Sequence, residues 1–348
     1  MVHDERTEQG NGKKPGNLLL SDEDQHNVVE MSISIDPELV FEHLHTPIDQ
    51  MADDETTIPA HWDWRDINGV DYTSIPPDQG GCGSCYIHAT MGMAESRIRV
   101  FSEGKLNPQL SVQYIIDCNF HTEGCDGGYE ITTALFAYEF DFRNRQCYEG
   151  NNQPKGPSQQ NLKNSEWNQC ERKCENEENF GVESFGIVGG AYGETTELGM
   201  MKEIRARGPI TIAFEAQGSF MGYREGIFKE DFEEEEGINI ESIHHPMAVL
   251  AQIHRESITD KNLREQGLEW ESVNHAILIV GLGELCHDDG SCTKYWICEN
   301  SWGQKWAKEG GFFYMLRGDD IVSIESFATY LIPKIPESLL KGEGEQTE

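Results

Sequence analysis

Gln79-Gly80-Gly81-Cys82-Gly83-Ser84-Cys85-Tyr86 holds two cysteines three apart, set among glycines, with a glutamine six residues before the second. Four chemistries use such a pair. A structural zinc site needs four ligands, commonly a second Cys-X-X-Cys or a histidine pair, and Cys170-X-X-X-Cys174 is a poor second knuckle. A redox Cys-X-X-Cys belongs to a thioredoxin-like βαβ setting, and no strand-like run precedes Cys82. A local Cys82–Cys85 disulfide would be strained in so short a loop and would leave Gln79 without a purpose. A nucleophile explains more. A thiol attacks as the thiolate, which a helix N-terminus and a nearby imidazolium favour. A long helical pattern begins at Cys85, and the glycines let backbone approach a substrate closely.

The base must come from elsewhere. Of 12 histidines, His275 is placed best, in Val273-Asn274-His275-Ala276-Ile277-Leu278 at the mouth of an apolar strand. Downstream, Glu299-Asn300-Ser301-Trp302-Gly303 follows another strand-like run. It offers an amide to orient an imidazole and an indole to shield that bond from water. Taken alone, His275 reads as an ordinary satisfied histidine and Trp302 as core packing. The acidic run Glu233–Glu236 and the pair His244-His245 read as solvated surface.

The elements that position these residues change period along the chain. Tyr86 to about Ser102 places Ile87, Met91, Ala94, Ile98 and Phe101 on one helical face. Ser111 caps a second short helix, and a third runs from Ile131 to about Phe140. Then come short β-rich runs at residues 210–214, 276–281, 294–298 and 311–316. The order predicts an α+β fold with a helical lobe followed by a sheet lobe. Residues 1–57 read as a disordered linker or the remnant of a pro-segment, 58–335 as the folded domain, and 336–348 as a polar tail. Residues 144–179 and 231–272 read as inserted loops, the second with a helix near Asp260–Glu269.

Composition bounds the partners. The 348 residues carry 27 basic and 62 acidic side chains, a formal charge of −35. That argues against nucleic acid and anionic membrane, which both call for basic clusters. It suits an acidic compartment, where part of the charge is titrated away. No apolar run is long enough to cross a bilayer. The polar start lacks the apolar core of a signal peptide, whereas ten cysteines suggest an oxidising compartment.

Gln79…Cys82-Gly83-Ser84-Cys85-Tyr86, Asn274-His275-Ala276 and Asn300-Ser301-Trp302-Gly303 together resemble the papain-family cysteine peptidases. Leu110-Ser111-Val112-Gln113, Gly124-Cys125-Asp126-Gly127-Gly128 and Gly226-Ile227-Phe228 add to the resemblance, which spans roughly 58–335. Within the family, the dipeptidyl peptidase I (cathepsin C) branch is matched by Trp62-Asp63-Trp64-Arg65, by Met91 to Arg99, by Val188-Gly189-Gly190, by residues 208–215 and by Ile324-Glu325-Ser326. The cathepsin X branch shares the Trp-Asp-Trp-Arg stretch but has an insertion before its nucleophile, and Gln79 and Cys85 have ordinary spacing.

The resemblance implies a papain-like two-lobe fold, with a helical lobe, an antiparallel, barrel-like sheet lobe and a cleft between them. It implies Cys85 as nucleophile, His275 as base and Asn300 as its orienting group. Gln79 and the Cys85 N–H would form an oxyanion hole. Gly127, Gly128, Phe327 and Trp302 would line the substrate site, with Gly128 bonding extended substrate backbone and Phe327 at the floor of the S2 pocket. It also implies disulfides Cys82–Cys125 and Cys118–Cys147. Cys286–Cys292 and Cys170–Cys174 are further local pairs, leaving Cys298 as a core thiol. It implies peptide or protein substrates, removal of N-terminal dipeptides, with endopeptidase action or peptide binding without catalysis as the alternatives, and a lysosomal or extracellular compartment. No metal or other cofactor is implied except the branch's chloride, whose tyrosine is replaced near Ile131. The branch's exclusion domain has no counterpart here, and the tetramer of that branch depends on parts missing from this sequence. The spacing from Cys85 to His275 exceeds the roughly 130–150 residues of the family, and the two insertions account for the excess. His88, one turn along the first helix, has no role in the family pattern.

Overall fold

Three helices build the N-terminal lobe: α1 (Cys85–Phe101), α2 (Val112–Cys118) and α3 (Glu130–Phe140). The computed structural model describes residues 40–46, 48–51, 58–148, 170, 179–190, 194–216, 218–229, 273–287 and 289–340. The long insertion at 231–272 with its expected helix, the acidic run, His244, His245 and Cys174 lie outside them. Three more helices follow, α4 (Glu197–Arg207), α5 (Gly218–Met221) and α6 (Glu337–Leu340). Ser111 caps α2 by accepting the Tyr114 N–H at 3.0 Å. Thr196 caps α4 through the Gly199 N–H in the same way.

The strands are β1 (Trp62–Asp63), β2 (Gly181–Ile187), β3 (Ile210–Phe214), β4 (Ile227–Phe228), β5 (His275–Cys286), β6 (Cys292–Glu299), β7 (Phe312–Leu316) and β8 (Ala328–Lys334). They form one sheet in the order β2-β8-β3-β5-β6-β7-β4, with β1 paired to β5 beside that path. All pairs are antiparallel except β4 with β7. The α+β, two-lobe papain-like expectation therefore holds.

β5 is the partition between two hydrophobic cores. Ile277 and Ile279 enter one core, with Trp62, Trp64, Trp296 and Phe313. Ala276, Leu278 and Val280 enter the other, with Ile87, Met91 and Ile98 of α1. This is the two-residue alternation of a strand buried on both faces. A register shift between Ile279 and Gly281 reverses the parity, so that Leu282 joins the first core and Leu285 the second. The buried Arg97 guanidinium ties α1 to the sheet lobe. It bonds Glu203 at 2.9 Å and the carbonyls of Pro209 and Leu331 at 2.8 and 2.9 Å.

Residues 40–46 and 48–51, within the stretch read as a disordered linker or the remnant of a pro-segment, pack on the body. Val40 and Leu44 are buried in the first core. The side chains of Arg205, Arg207 and Lys202 donate to the carbonyls of Val40, Thr46 and Met51 at 3.2, 2.6 and 3.4 Å. Val40 and Leu44 share that core with Met200, Met201 and Ile204 of α4, and Phe41 meets Tyr72 edge-on. Cys118 is bonded to Cys170, not to Cys147, so Cys170 is not paired with Cys174 either. Cys170 is buried in the second core, so the 144–179 excursion touches the body there. The Tyr148 hydroxyl lies 3.9 Å from the Cys118 sulfur. Cys147 forms a different disulfide. Finally, β2, α4 and β8 carry no strong periodicity of their own and were not expected from the sequence.

Candidate active site

Cys85 opens α1, half-buried and with a free thiol. The loop before it is pinned twice. Cys82 is bonded to Cys125, and the Gly83 N–H donates to the Cys125 carbonyl at 2.8 Å. A β-carbon on Gly83 would lie 2.5 Å from that carbonyl oxygen, so only glycine fits. Burial pushes the Cys85 thiol up to about 11. The Ala276 N–H works against that shift, the Glu130 charge adds to it, and the N–H groups of Tyr86 and Cys85 oppose it again. A thiolate here therefore needs a cation alongside it.

The imidazole that can supply one is fixed on the facing strand. His275 begins β5, and the next residue, Ala276, lies in the core that Cys85 packs against. His275 Nε2 lies 2.8 Å from Asn300 Oδ1. The Ser301 N–H donates to the same oxygen at 2.8 Å. That atom is an acceptor, so Nε2 carries the hydrogen and Nδ1 is left for proton exchange. Trp302 stacks on the imidazole, rings 4.8 Å apart, and Phe214 meets it edge-on at 5.7 Å. Both His275 and Asn300 are buried.

Gln79 is buried on the same side. Its N–H donates to the Ser301 carbonyl at 2.8 Å, and Asp78 bridges to Trp302. Its side-chain amide donates to the Cys82 carbonyl at 2.9 Å and accepts from the Ser301 hydroxyl. Ser301 thus locks both ends of the site, a role sequence reading missed although it lies between Asn300 and Trp302.

Gly127 and Gly128 lie between α2 and α3. A β-carbon on Gly128 would sit 2.6 Å from the Tyr86 ring. Tyr86, next to Cys85, is itself held by its hydroxyl on the Gly124 carbonyl at 2.9 Å. Gly127 has a φ of 124° and open space around it. Phe327 precedes β8, and its carbonyl takes a long bond of 3.5 Å from the Ala213 N–H. Glu130, at the start of α3, was missed by sequence reading. It is buried, its Oε1 has no partner among the described residues, and burial pushes it up to about 7. Its place directly after Gly127-Gly128-Tyr129 was the available signal.

Cys286 and Cys292 are bonded. With Glu284 they form the one cluster among the described residues compact enough for a metal, and its two sulfurs are in that disulfide. Cys298 is a buried free thiol, raised well above its ordinary range by burial. No helix among the described residues is long and apolar enough to cross a membrane.

A helical lobe, a sheet lobe and a cysteine facing an amide-held histidine define the class. The family model for papain family cysteine proteases matches residues 58–251 and 242–332, and the chain belongs to that family of cysteine-type peptidases. It is similar to cathepsin C of Schistosoma mansoni, 29% identical over 293 residues that cover 83% of this chain and 54% of that one. Dipeptidyl aminopeptidase 1 of Plasmodium falciparum is 28% identical, covering 72% of this chain and 41% of its own length. Mouse pro-cathepsin H is 26% identical, over 80% of this chain and 66% of that protein. The chain spans about half the length of the first two relatives. In fold it resembles digestive procathepsin L 3 of Tenebrio molitor, with a TM-score of 0.56 at 20% identity over 85% of this chain and 77% of that one.

Proposed function

We propose that Cys85, His275, Asn300 and Gln79 hydrolyse peptide bonds by acyl transfer, and that the chain removes dipeptides from free N-termini. The Cys85 thiolate adds to the substrate carbonyl while His275, protonated at Nδ1, balances its charge. The oxyanion forms against the Gln79 amide and the Cys85 N–H. His275 gives its proton to the leaving amine, which departs as the C–N bond breaks and the thioester remains. Water, losing a proton to His275, then attacks the thioester, and the acid leaves as the thiol sulfur is released. The observation that carries this reading is the 2.8 Å bond from His275 to Asn300, on a strand whose next residue, Ala276, shares a core with Cys85. It supports Nδ1 as the nitrogen that shuttles the proton.

Removal of dipeptides rests on likeness to cathepsin C and dipeptidyl aminopeptidase 1. The second reading is internal cleavage, since relatives named cathepsin Z, pro-cathepsin H and cathepsin B-like cysteine proteinase 4 are matched as well. An endolysosomal or extracellular setting accords with the disulfides. The test is product analysis by mass spectrometry on one peptide with its N-terminus free or acetylated, with Cys85→Ala as blank. Stepwise dipeptides from the free peptide alone are expected. Internal cuts in both peptides would replace the dipeptidyl reading with an endopeptidase. No cleavage above the blank would leave a protein that only captures peptides.

A further inference from the structure

A cavity of 360 Å³ runs along α1 from His88 to Arg99. Its other walls are the 74–78 segment, which leads into Gln79, the 109–113 segment, and the turn bearing Arg145 and Tyr148. None of the reaction steps above uses it. Its charged lining is mixed, and its buried side-chain atoms without a partner among the described residues are nitrogens. His88 is 5% exposed, and its Nε2 has no partner among the described residues. The Arg99 Nη groups donate to the Thr73 carbonyl and Asn107 Oδ1, which leaves its buried Nε–H without a partner there. The Arg145 side chain is exposed at the rim and makes no hydrogen bond or ion pair with the described residues. One oxygen of each of two lining carboxylates is engaged. Glu95 Oε1 accepts the Leu110 N–H at 2.7 Å, and Asp78 Oδ1 accepts the Gly80 N–H at 2.9 Å.

The Arg99 Nε–H calls for an acceptor, and a planar guanidinium at the cavity mouth selects a carboxylate. We propose that this cavity is a second binding site, taking a small carboxylate anion on Arg145, with Arg99 and His88 behind it. Binding is stronger at acid pH. Burial pushes Glu95 up to about 7, so the carboxylate that would repel the ligand takes a proton below that. Arg99 on its own helix and Arg145 across the cavity oppose that rise. Glu299 of β6 faces Glu95 too, and burial pushes it up to about 8, so it is neutral over the same range. His88 is pushed down to about 4 by burial and contributes a neutral ring.

The carboxylate can be a free small acid or the C-terminus of a short peptide, and one experiment separates them. The full chain with Cys85→Ala, which removes the nucleophile, is titrated calorimetrically at about pH 5.5 and about pH 8 with sodium malonate, glycylglycine and glycylglycinamide. Sodium chloride at matched ionic strength is the reference. Saturable malonate binding is expected at the lower pH, at least tenfold weaker at the higher, and at least tenfold weaker in Arg145→Gln, whose exposed site leaves the fold intact. Binding of glycylglycine but not its amide would assign the site to peptide ends, and malonate alone would assign it to free acids. The proposal is overturned by the absence of saturable heat with either carboxylate, by equal binding in Arg145→Gln, or by equal binding of the amide. These readouts do not depend on hydrolysis, so failure here leaves the peptidase reading standing.

Discussion

At the scale of the residue, the site turns on how a buried thiol becomes a thiolate. Burial alone pushes Cys85 up to about 11, and the N–H groups of Ala276, Tyr86 and Cys85 recover only part of that. Glu130 works against them when ionised. Its own value is pushed up to about 7 by burial, so it is neutral below that and charged above it. A negative charge near Cys85 disfavours the thiolate. Replacing Glu130 by Gln is therefore expected to speed alkylation of Cys85 severalfold at about pH 8 and to leave the rate near wild type at about pH 5, where Glu130 already carries its proton. The ratio of iodoacetamide labelling rates at the two values checks this. An equal gain at both would remove Glu130 from the account.

At the scale of the element, α1 does two jobs from its two ends. Its first residue is Cys85 and its last, Phe101, meets His45 edge-on at 5.8 Å. They are sixteen residue steps apart, which is about 24 Å at 1.5 Å per residue. The 40–51 segment therefore docks at the far end of the helix from the nucleophile, held by Val40, Leu44 and the basic side chains of α4. It behaves as part of the body at that point and does not block the cysteine. Leu44→Ala is expected to cost about 2 to 3 kcal/mol in urea unfolding. It should leave the rate of Cys85 labelling in the folded protein unchanged. A faster labelling rate without loss of stability would mean that the segment restrains the active site.

For the whole molecule, the relevant quantity is proton binding. Glu95 and Glu130 are pushed up to about 7 and Glu299 to about 8, against an ordinary value of 4.5. Each folded-state value lies above the unfolded one, so the folded state holds these protons more tightly. The resulting stabilisation is fully present below about pH 4.5 and is lost as pH rises through about 7 to 8. The formal charge of −35 acts in the same direction, since acid removes part of the self-repulsion. Thermal unfolding is expected at a higher midpoint at about pH 5 than at about pH 8, by on the order of 5 °C. A midpoint that rises with pH would contradict these assignments. Stability in acid accords with the compartment proposed above.

What the sequence determined by itself is the local part. Short-range patterns specify α1, α2 and α3, since a 3.6-residue apolar face and a capping serine need no distant partner. Strands β3, β5, β6 and β7 were legible for the same reason, as dense apolar runs between turns. Cys85, His275, Asn300 and Gln79 stood out because each sits at the edge of such an element. The tertiary structure decided what depends on meeting across the chain. β2 and β8 become strands by pairing with each other, and β2 is only partly buried. The bond from Cys118 to Cys170 depends on where an excursion returns, which residue spacing does not encode. Ser301 acquires its role only because Gln79 arrives from 222 positions away, and the docking of Val40 and Leu44 needs the face of α4. The unmet nitrogens along α1 could be seen only once the walls around them had closed.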